Sequence, residues 1–307
     1  MRNHGLPSVR YVLARPIAGL APFVASWIGA ACALLIGWAA LAPTTAAARP
    51  LDDVVASGIL RVIVYDDFAP FSWTAEDGSV KGIDADVARA IAARMNLKPD
   101  IIARIAGEEV DDDLRSNIWQ GPRTGGHVGD FMMHVPMEQA FIARNNLVGI
   151  SNAYHHEQVV LAIHPDMVDP SAGIAAFASA KLAVQFASSA HYHVMFADGE
   201  AYKANVNPYR KVEDAMESFL ARKNAGIIAP RSQIEALLGG ERQSVLILEP
   251  KFDTDLRMAW TIGTAVKQDS RDTGYAVGKA LRELEASGEL AKIFARYGVT
   301  RVAPPVP

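Results

Sequence analysis

From Leu51 onward the chain alternates between short unbroken apolar runs and longer stretches with apolar residues at helical spacing. LDDVVASGI reads as a short amphipathic turn, and LRVIVY at 60–65 as a buried strand bounded by acids. After an aromatic loop, DDFAPFSW, the pair Asp77-Gly78 lies between two short extended pieces and predicts a hairpin turn. DADVARAIAARMNL places Val87, Ile91, Ala92, Met95 and Leu97 near helical spacing, with Asp84 or Asp86 available as the N-terminal cap. A strand follows at PDIIARI, and a helix opens at DDDLRSNIW with its acids in the first turn, where the helix dipole favours them. GPRTGGHVG is a loop, and DFMMHVP is a short buried strand stopped by Pro136. Strand, loop, hairpin, helix, strand is the order of an α/β layer architecture.

Beyond NLVGISNAYHHEQVVLAIH the pattern restarts. KLAVQF, a helix from about His191, NAGIIAP, a second helix and SVLILEP make another α/β unit over roughly residues 156–255. The closing RDTGYAVGKALRELEASGELAKIFARYG gives two amphipathic helices punctuated by Gly288.

The first fifty residues follow other rules. Arg2, Arg10 and Arg15 open the chain without an acid, and no charge appears from Pro16 to Ala48. A basic start, the apolar VASWIGAACALLIGWAALA and the small-residue ending TTAAA predict an export signal over residues 1–48, cleaved after Ala48. The alternative is a retained anchor, since the uncharged stretch is long enough to span a bilayer. Loss of the three arginines leaves 27 basic against 34 acidic side chains, a formal charge of −7. A mildly acidic chain without clustered Lys and Arg excludes a nucleic-acid footprint. Cys32, the only cysteine, leaves with the signal, so the exported part has no disulfide and no thiol chemistry.

The matching residues GILRVIVYDDFAPFSW, GSVKGIDADVARAIAARMN, NAYHHEQVVLAI, KLAVQFASS and WTIGTAVKQDSRDTGYAVGKALRELEASGELAKIFARYG, in this order and spacing, resemble the bacterial extracellular solute-binding proteins of family 3. The resemblance implies a two-lobed periplasmic binding protein type 2 fold with two crossover hinge strands. Residues 49–154 plus 256–303 would form the first lobe, 155–255 the second and 304–307 a tail. The chain would be a periplasmic, non-enzymatic monomer that closes on a small molecule and delivers it to an ABC importer. In the family the loop after the first strand lines the cleft, which assigns Phe68, Phe71 and Trp73 to ligand contact; the alternative puts Phe71 and Trp73 in the core with the strand that follows.

The chain departs from the family's amino-acid clamp. Where the carboxylate-binding arginine would follow DFMMHVP, Glu138 and Gln139 stand, and Pro230 and Arg231 occupy the place of the amine-binding aspartate. His134 at the strand end, Ser188 and Ser189 after AVQFA, and Arg231 are the candidate substitutes. Together they predict a small polar or anionic ligand. LRSNIW and HVP also resemble, more loosely, the J-type accessory proteins of periplasmic quinoprotein methanol dehydrogenases, where a glycine stands in the place of His134. That branch implies a protein partner and an altered cleft.

Other chemistry is sparse. The pairs His155-His156 and His191-x-His193 are conceivable metal ligands, but no nearby carboxylate other than Glu157 supports them, and no metal or cofactor is expected. The acids 111–113 read as dipole-matched surface residues. No nucleophile elbow, zincin, P-loop or dinucleotide motif is present.

Overall fold

The computed structural model describes residues 48–122 and 125–305. The export signal, with Cys32, lies outside the described residues except for Ala48. Among the described residues no helix is long and apolar enough to cross a membrane.

Ile59–Tyr65 forms β1, with Lys98–Arg104 (β4) and Phe131–Pro136 (β5) parallel on either side. Parallel strands are covered on both faces, and β1 and β5 are accordingly apolar runs interrupted only by Arg61 and His134. Trp73–Thr74 (β2) and Val80–Lys81 (β3) pair as a small ribbon around Asp77-Gly78. Ala259–Lys267 (β11) runs antiparallel to β5 and to Val148–Ile163 (β6).

The 16-residue β6 organises the molecule. Up to Gln158 it pairs with β11, and from Val159 it pairs with Gly226–Pro230 (β9). Leu246–Leu248 (β10) flanks its end, while β9 passes the sheet on to Leu182–Gln185 (β7) and Val206–Tyr209 (β8). One nine-stranded sheet, with β10 off the main path, therefore consists of two halves sharing a strand.

Each half has helices on both faces. In the first, Ile83–Arg94 (α2), Arg271–Ala286 (α8) and Glu289–Arg296 (α9) bury Val87, Ile91, Leu281, Leu284 and Phe294 against β1 and β5. Its other face is covered by Val110–Leu114 (α3), by the π-helical turn Arg115–Trp119 and by Gln139–Arg144 (α4), through Leu114, Ile118 and Phe141. In the second, Ser189–Phe196 (α5) and the 3-10 segment Pro170–Ala178 cover one face. Val212–Leu220 (α6) and Arg231–Leu238 (α7) cover the other. Trp260 packs against a core cluster of each half. The chain thus has the mixed α/β, two-lobed architecture of periplasmic binding proteins.

Both ends of the described residues are fastened. Leu51–Ser57 is a helix (α1), and ahead of it Arg49 grips Asp130 bidentately, Nε to Oδ1 at 3.0 Å and Nη2 to Oδ2 at 2.6 Å. At the other end Val302 exchanges backbone and ring hydrogen bonds with His155 and His156 of β6, and the Thr300 amide donates to Glu235 of α7.

Local boundaries differ from the sequence expectation at three places. Neither Asp84 nor Asp86 caps α2; the cap is Gly82, at φ 118°, where a Cβ would lie 2.2 Å from the Phe71 carbonyl. Glycine is needed there because the aromatic loop passes against the helix start. The helix read from about His191 starts at Ser189. The helix opened by the three acids is one turn long before it widens at Arg115.

Candidate functional site

A cleft of about 420 Å³ opens where the two halves of the sheet meet. Its wall is built from the ends of strands, as in open α/β sheets generally. Tyr65 ends β1, the loop Asp66–Phe68 follows it, His134 and Pro136 end β5, and Trp260 and Ile262 come from β11. Gly107, Glu108 and Asp113 close one side, Arg257 another, and Ser189 reaches in from α5 of the second half.

Aromatic rings set the shape of this wall. Phe68 is half-buried and touches three rings: Tyr65 edge-on at 6.1 Å, Phe71 nearly parallel at 5.7 Å and His134 edge-on at 4.8 Å. Phe71 lies behind it at 2% exposure, against His134 and Phe294. Trp73 turns away, edge-on to Tyr297 at 6.0 Å, toward a separate recess lined also by Gln233 and Leu237. Of the three aromatics assigned from the sequence, Phe68 lines the cleft, Phe71 is core and Trp73 faces elsewhere.

The polar assignments divide in the same way. His134 and Ser189 line the cleft. Ser188 is occupied as the cap of α5, accepting from the His191 amide at 3.1 Å and donating to the Gln185 carbonyl at 2.8 Å. Arg231 does not line the cleft; its guanidinium pairs with Glu249 and, at 3.4 Å, with Glu235. The expectation of a small polar or anionic ligand rested on Arg231, Ser188, Ser189 and His134, of which only Ser189 and His134 line the cleft. With Arg231 and Ser188 engaged elsewhere, the lining has the opposite balance: Asp66, Asp67, Glu108 and Asp113 against Arg257, itself paired with Glu138.

Two of these carboxylates, Asp113 and Asp66, are fixed by specific partners. Asp113 accepts from the Tyr65 hydroxyl at 2.9 Å and from the Gly107 amide at 2.9 Å. Burial, then the Asp113 charge and its hydrogen bond, push the Tyr65 hydroxyl far above its ordinary range, so Tyr65 remains a protonated donor. For Asp66 burial pulls upward, but hydrogen bonds from the Thr74 amide and hydroxyl and the Asp67 amide outweigh it and hold the carboxyl low. The run 111–113 splits three ways: Asp111 pairs with Arg144, Asp112 with Arg115, and only Asp113 turns inward. Successive helical residues point about 100° apart, so one charge run serves three surroundings.

Behind the cleft lies a buried polar chain. Asp84 is fully buried and accepts from the Tyr154 hydroxyl at 2.6 Å while meeting His134 Nδ1 at 3.0 Å. Tyr154 is raised by burial first and by the Asp84 charge second. On the same strand His155 is pushed down to about 3 by burial, helped by the charges of His134, Arg301 and His156. Burial raises Glu157, which accepts from the Ser232 hydroxyl of α7 and lies 3.9 Å from His155. Burial works against the charged form of both partners. His155-His156 is thus divided between the core and Thr261, while His191 and His193 sit on a helix rather than a strand. Among the described residues no group of three His, Cys, Asp or Glu side chains could hold a metal ion.

Residues 60–119 match the profile of the bacterial extracellular solute-binding proteins, family 3. A cyclohexadienyl dehydratase of Pseudomonas aeruginosa is 37% identical over 68 residues, 22% of this chain and 24% of that protein. The match therefore spans about a quarter of the length of this curated relative. Among solved structures, an ancestral cationic amino acid solute binding protein superposes with a TM-score of 0.64 at 18% identity, covering 81% of this chain and 99% of that one. A polar amino acid ABC uptake transporter substrate binding protein from Streptococcus thermophilus gives 0.65 at 15% identity, covering 83% and 91%. At these identities the likeness establishes the fold.

Tyr65, Asp66, Asp67, Asp113, Arg257 and Trp260 belong to the cleft wall without having been singled out from the sequence. Tyr65, as the last residue of an apolar run that ends at a cleft, carried a usable signal. Arg257 and Trp260 could be found only once the second crossing was placed.

Proposed function

We propose that this chain is an exported solute-binding protein that captures a small, positively charged polar solute between its lobes and presents it to an ABC importer in the periplasm. The observation that carries the reading is the lining of the cleft: aromatic surface from Tyr65, Phe68 and Trp260 beside four carboxylates and a single, already paired guanidinium. Aromatic faces attract cations, and a cleft lined by one sign of charge concentrates the opposite one. The hinge lies where β6 changes partners, near residues 154–158, and where the chain returns, near 253–258. The lobes are 49–154 plus 256–303 and 155–255. Closure would bring Ser189 over Phe68, and the protein acts as a monomer.

The test is a thermal-shift panel on residues 49–307 with ammonium compounds, cationic amino acids, organic acids and neutral polyols. A ligand that binds only the folded state raises its melting temperature by mass action, by an amount that grows with concentration. Stabilisation by cations supports the reading; stabilisation confined to organic acids refutes the charge assignment.

A second reading, a docking accessory of a periplasmic quinoprotein dehydrogenase, is favoured by exposed rings beside Ser189. Phe186, Tyr192 and Phe196 are 60%, 47% and 65% exposed. Co-purification of such a dehydrogenase, lost with Phe186→Ser and Phe196→Ser, together with silence across the ligand panel, would move the assignment there.

A further inference from the structure

His134 occupies an unusual place. Its φ of 59° lies in the left-handed region, which residues bearing a side chain rarely adopt. Strain held at a cleft is a pointer to function. The ring is clamped between Phe68 and Phe71, with centroids at 4.8 and 4.4 Å, and its Nδ1 meets Asp84 at 3.0 Å. A carboxylate accepts, so Nδ1 carries the proton, and in the uncharged ring Nε2 keeps a lone pair. Nε2 has no hydrogen-bond partner among the described residues, yet it is not among their fully enclosed unpartnered atoms. It therefore keeps access to the cleft that His134 lines.

We infer that His134 Nε2 is the ligand-reading atom of this cleft, accepting an N–H from a primary or secondary organic ammonium ion, with Asp84 as the positioning residue that fixes its tautomer. The inference rests on the solute-binding reading above. It narrows the ligand class, because a quaternary ammonium has charge but no hydrogen to donate. It also makes binding proton-linked: a protonated imidazole has no lone pair and repels the ligand.

The other groups near this ring bear differently on that profile. Asp84 from α2 and Tyr154, His155 and Glu157 from β6 lie behind it, and Asp113, Tyr65 and Arg257 share the cleft wall. His155, held down to about 3, stays uncharged between pH 5 and 8. Burial raises Glu157, which lies behind the ring, so Glu157→Gln is the control.

The experiment has two arms on residues 49–307. Nitrogen-15 NMR of the ligand-free protein at pH 8, with His134→Gln to assign the signals, reads the tautomer. Calorimetric titration with propylammonium and tetramethylammonium chloride from pH 5 to 8 reads the linkage. The expected results are a protonated Nδ1 that becomes a tautomeric mixture in Asp84→Asn, and propylammonium binding that weakens with acid and exceeds that of tetramethylammonium. His134→Gln, which keeps an acceptor but does not titrate, should bind with a flat profile, and Glu157→Gln should keep the wild-type slope. A protonated Nε2, or an unchanged slope in His134→Gln while binding persists, overturns this inference alone. Absence of propylammonium binding at pH 8 with the tautomer as expected overturns the cation reading of the cleft and this inference with it.

Discussion

His155 makes the acid stability of this protein calculable. It is 1% exposed, lies between Phe71 and Phe294, accepts from the Val302 amide, and is held down to about 3. An unfolded histidine titrates near 6.5, at about 1.36 kcal/mol per unit of displacement. Because the folded value is depressed, the stabilisation is fully present above the unfolded value and is lost as pH falls below it. At pH 5 the folded imidazole, held down to about 3, is neutral, so the loss there depends only on the unfolded chain. Between pH 7 and 5 it amounts to about 2 kcal/mol, or about 4–8 °C in Tm for a chain of this size. The assay is urea denaturation of residues 49–307 and of His155→Gln, which retains an acceptor for Val302, at half-unit pH steps. The difference between the two curves isolates this residue from the other histidines. It should be constant above pH 7 and close by about 2 kcal/mol toward pH 5; parallel curves over that interval would refute the reasoning.

Three further outcomes are expected. Arg49→Met leaves Asp130, 1% exposed, with a buried charge and only backbone donors; breaking such a pair costs about 3 kcal/mol, measurable by denaturation, and Asp130→Asn in the same chain should recover part of it. Phe68→Ala should weaken any cleft ligand by about 1 kcal/mol or more by calorimetry, whereas Trp73→Ala, on the other recess, should leave affinity unchanged. Truncation after Val299 removes the Thr300–Glu235 and Val302–His155 contacts; amide exchange should quicken in residues 154–158 and in α7 while β1 remains protected.

The fold was readable where physics acts locally. Parallel strands buried on both faces wrote themselves as nearly continuous apolar runs at LRVIVY and GIIAP, and amphipathic spacing marked α2, α8 and α9. The small α4 and the strand β8 passed unnoticed because each is only one turn or four residues long and carries no pattern of its own. The cleft was partly legible: the strand-end positions of Phe68, His134 and Ser189 follow from element order. Its charge was not. Whether Arg231 faces a ligand or Glu249 depends on a contact across 18 residues, and whether Asp113 faces solvent or Tyr65 depends on one across 48. Neither separation leaves a periodic trace in the chain.

The most direct trial of the central claim, that an acidic aromatic cleft takes up a positive solute, is a calorimetric titration of residues 49–307 with butane-1,4-diammonium and with butanedioate at low and high salt. The account predicts saturable single-site binding of the dication, weakened by salt and by Asp113→Asn, and no heat from the dianion. Saturable binding of the dianion in its place would contradict it.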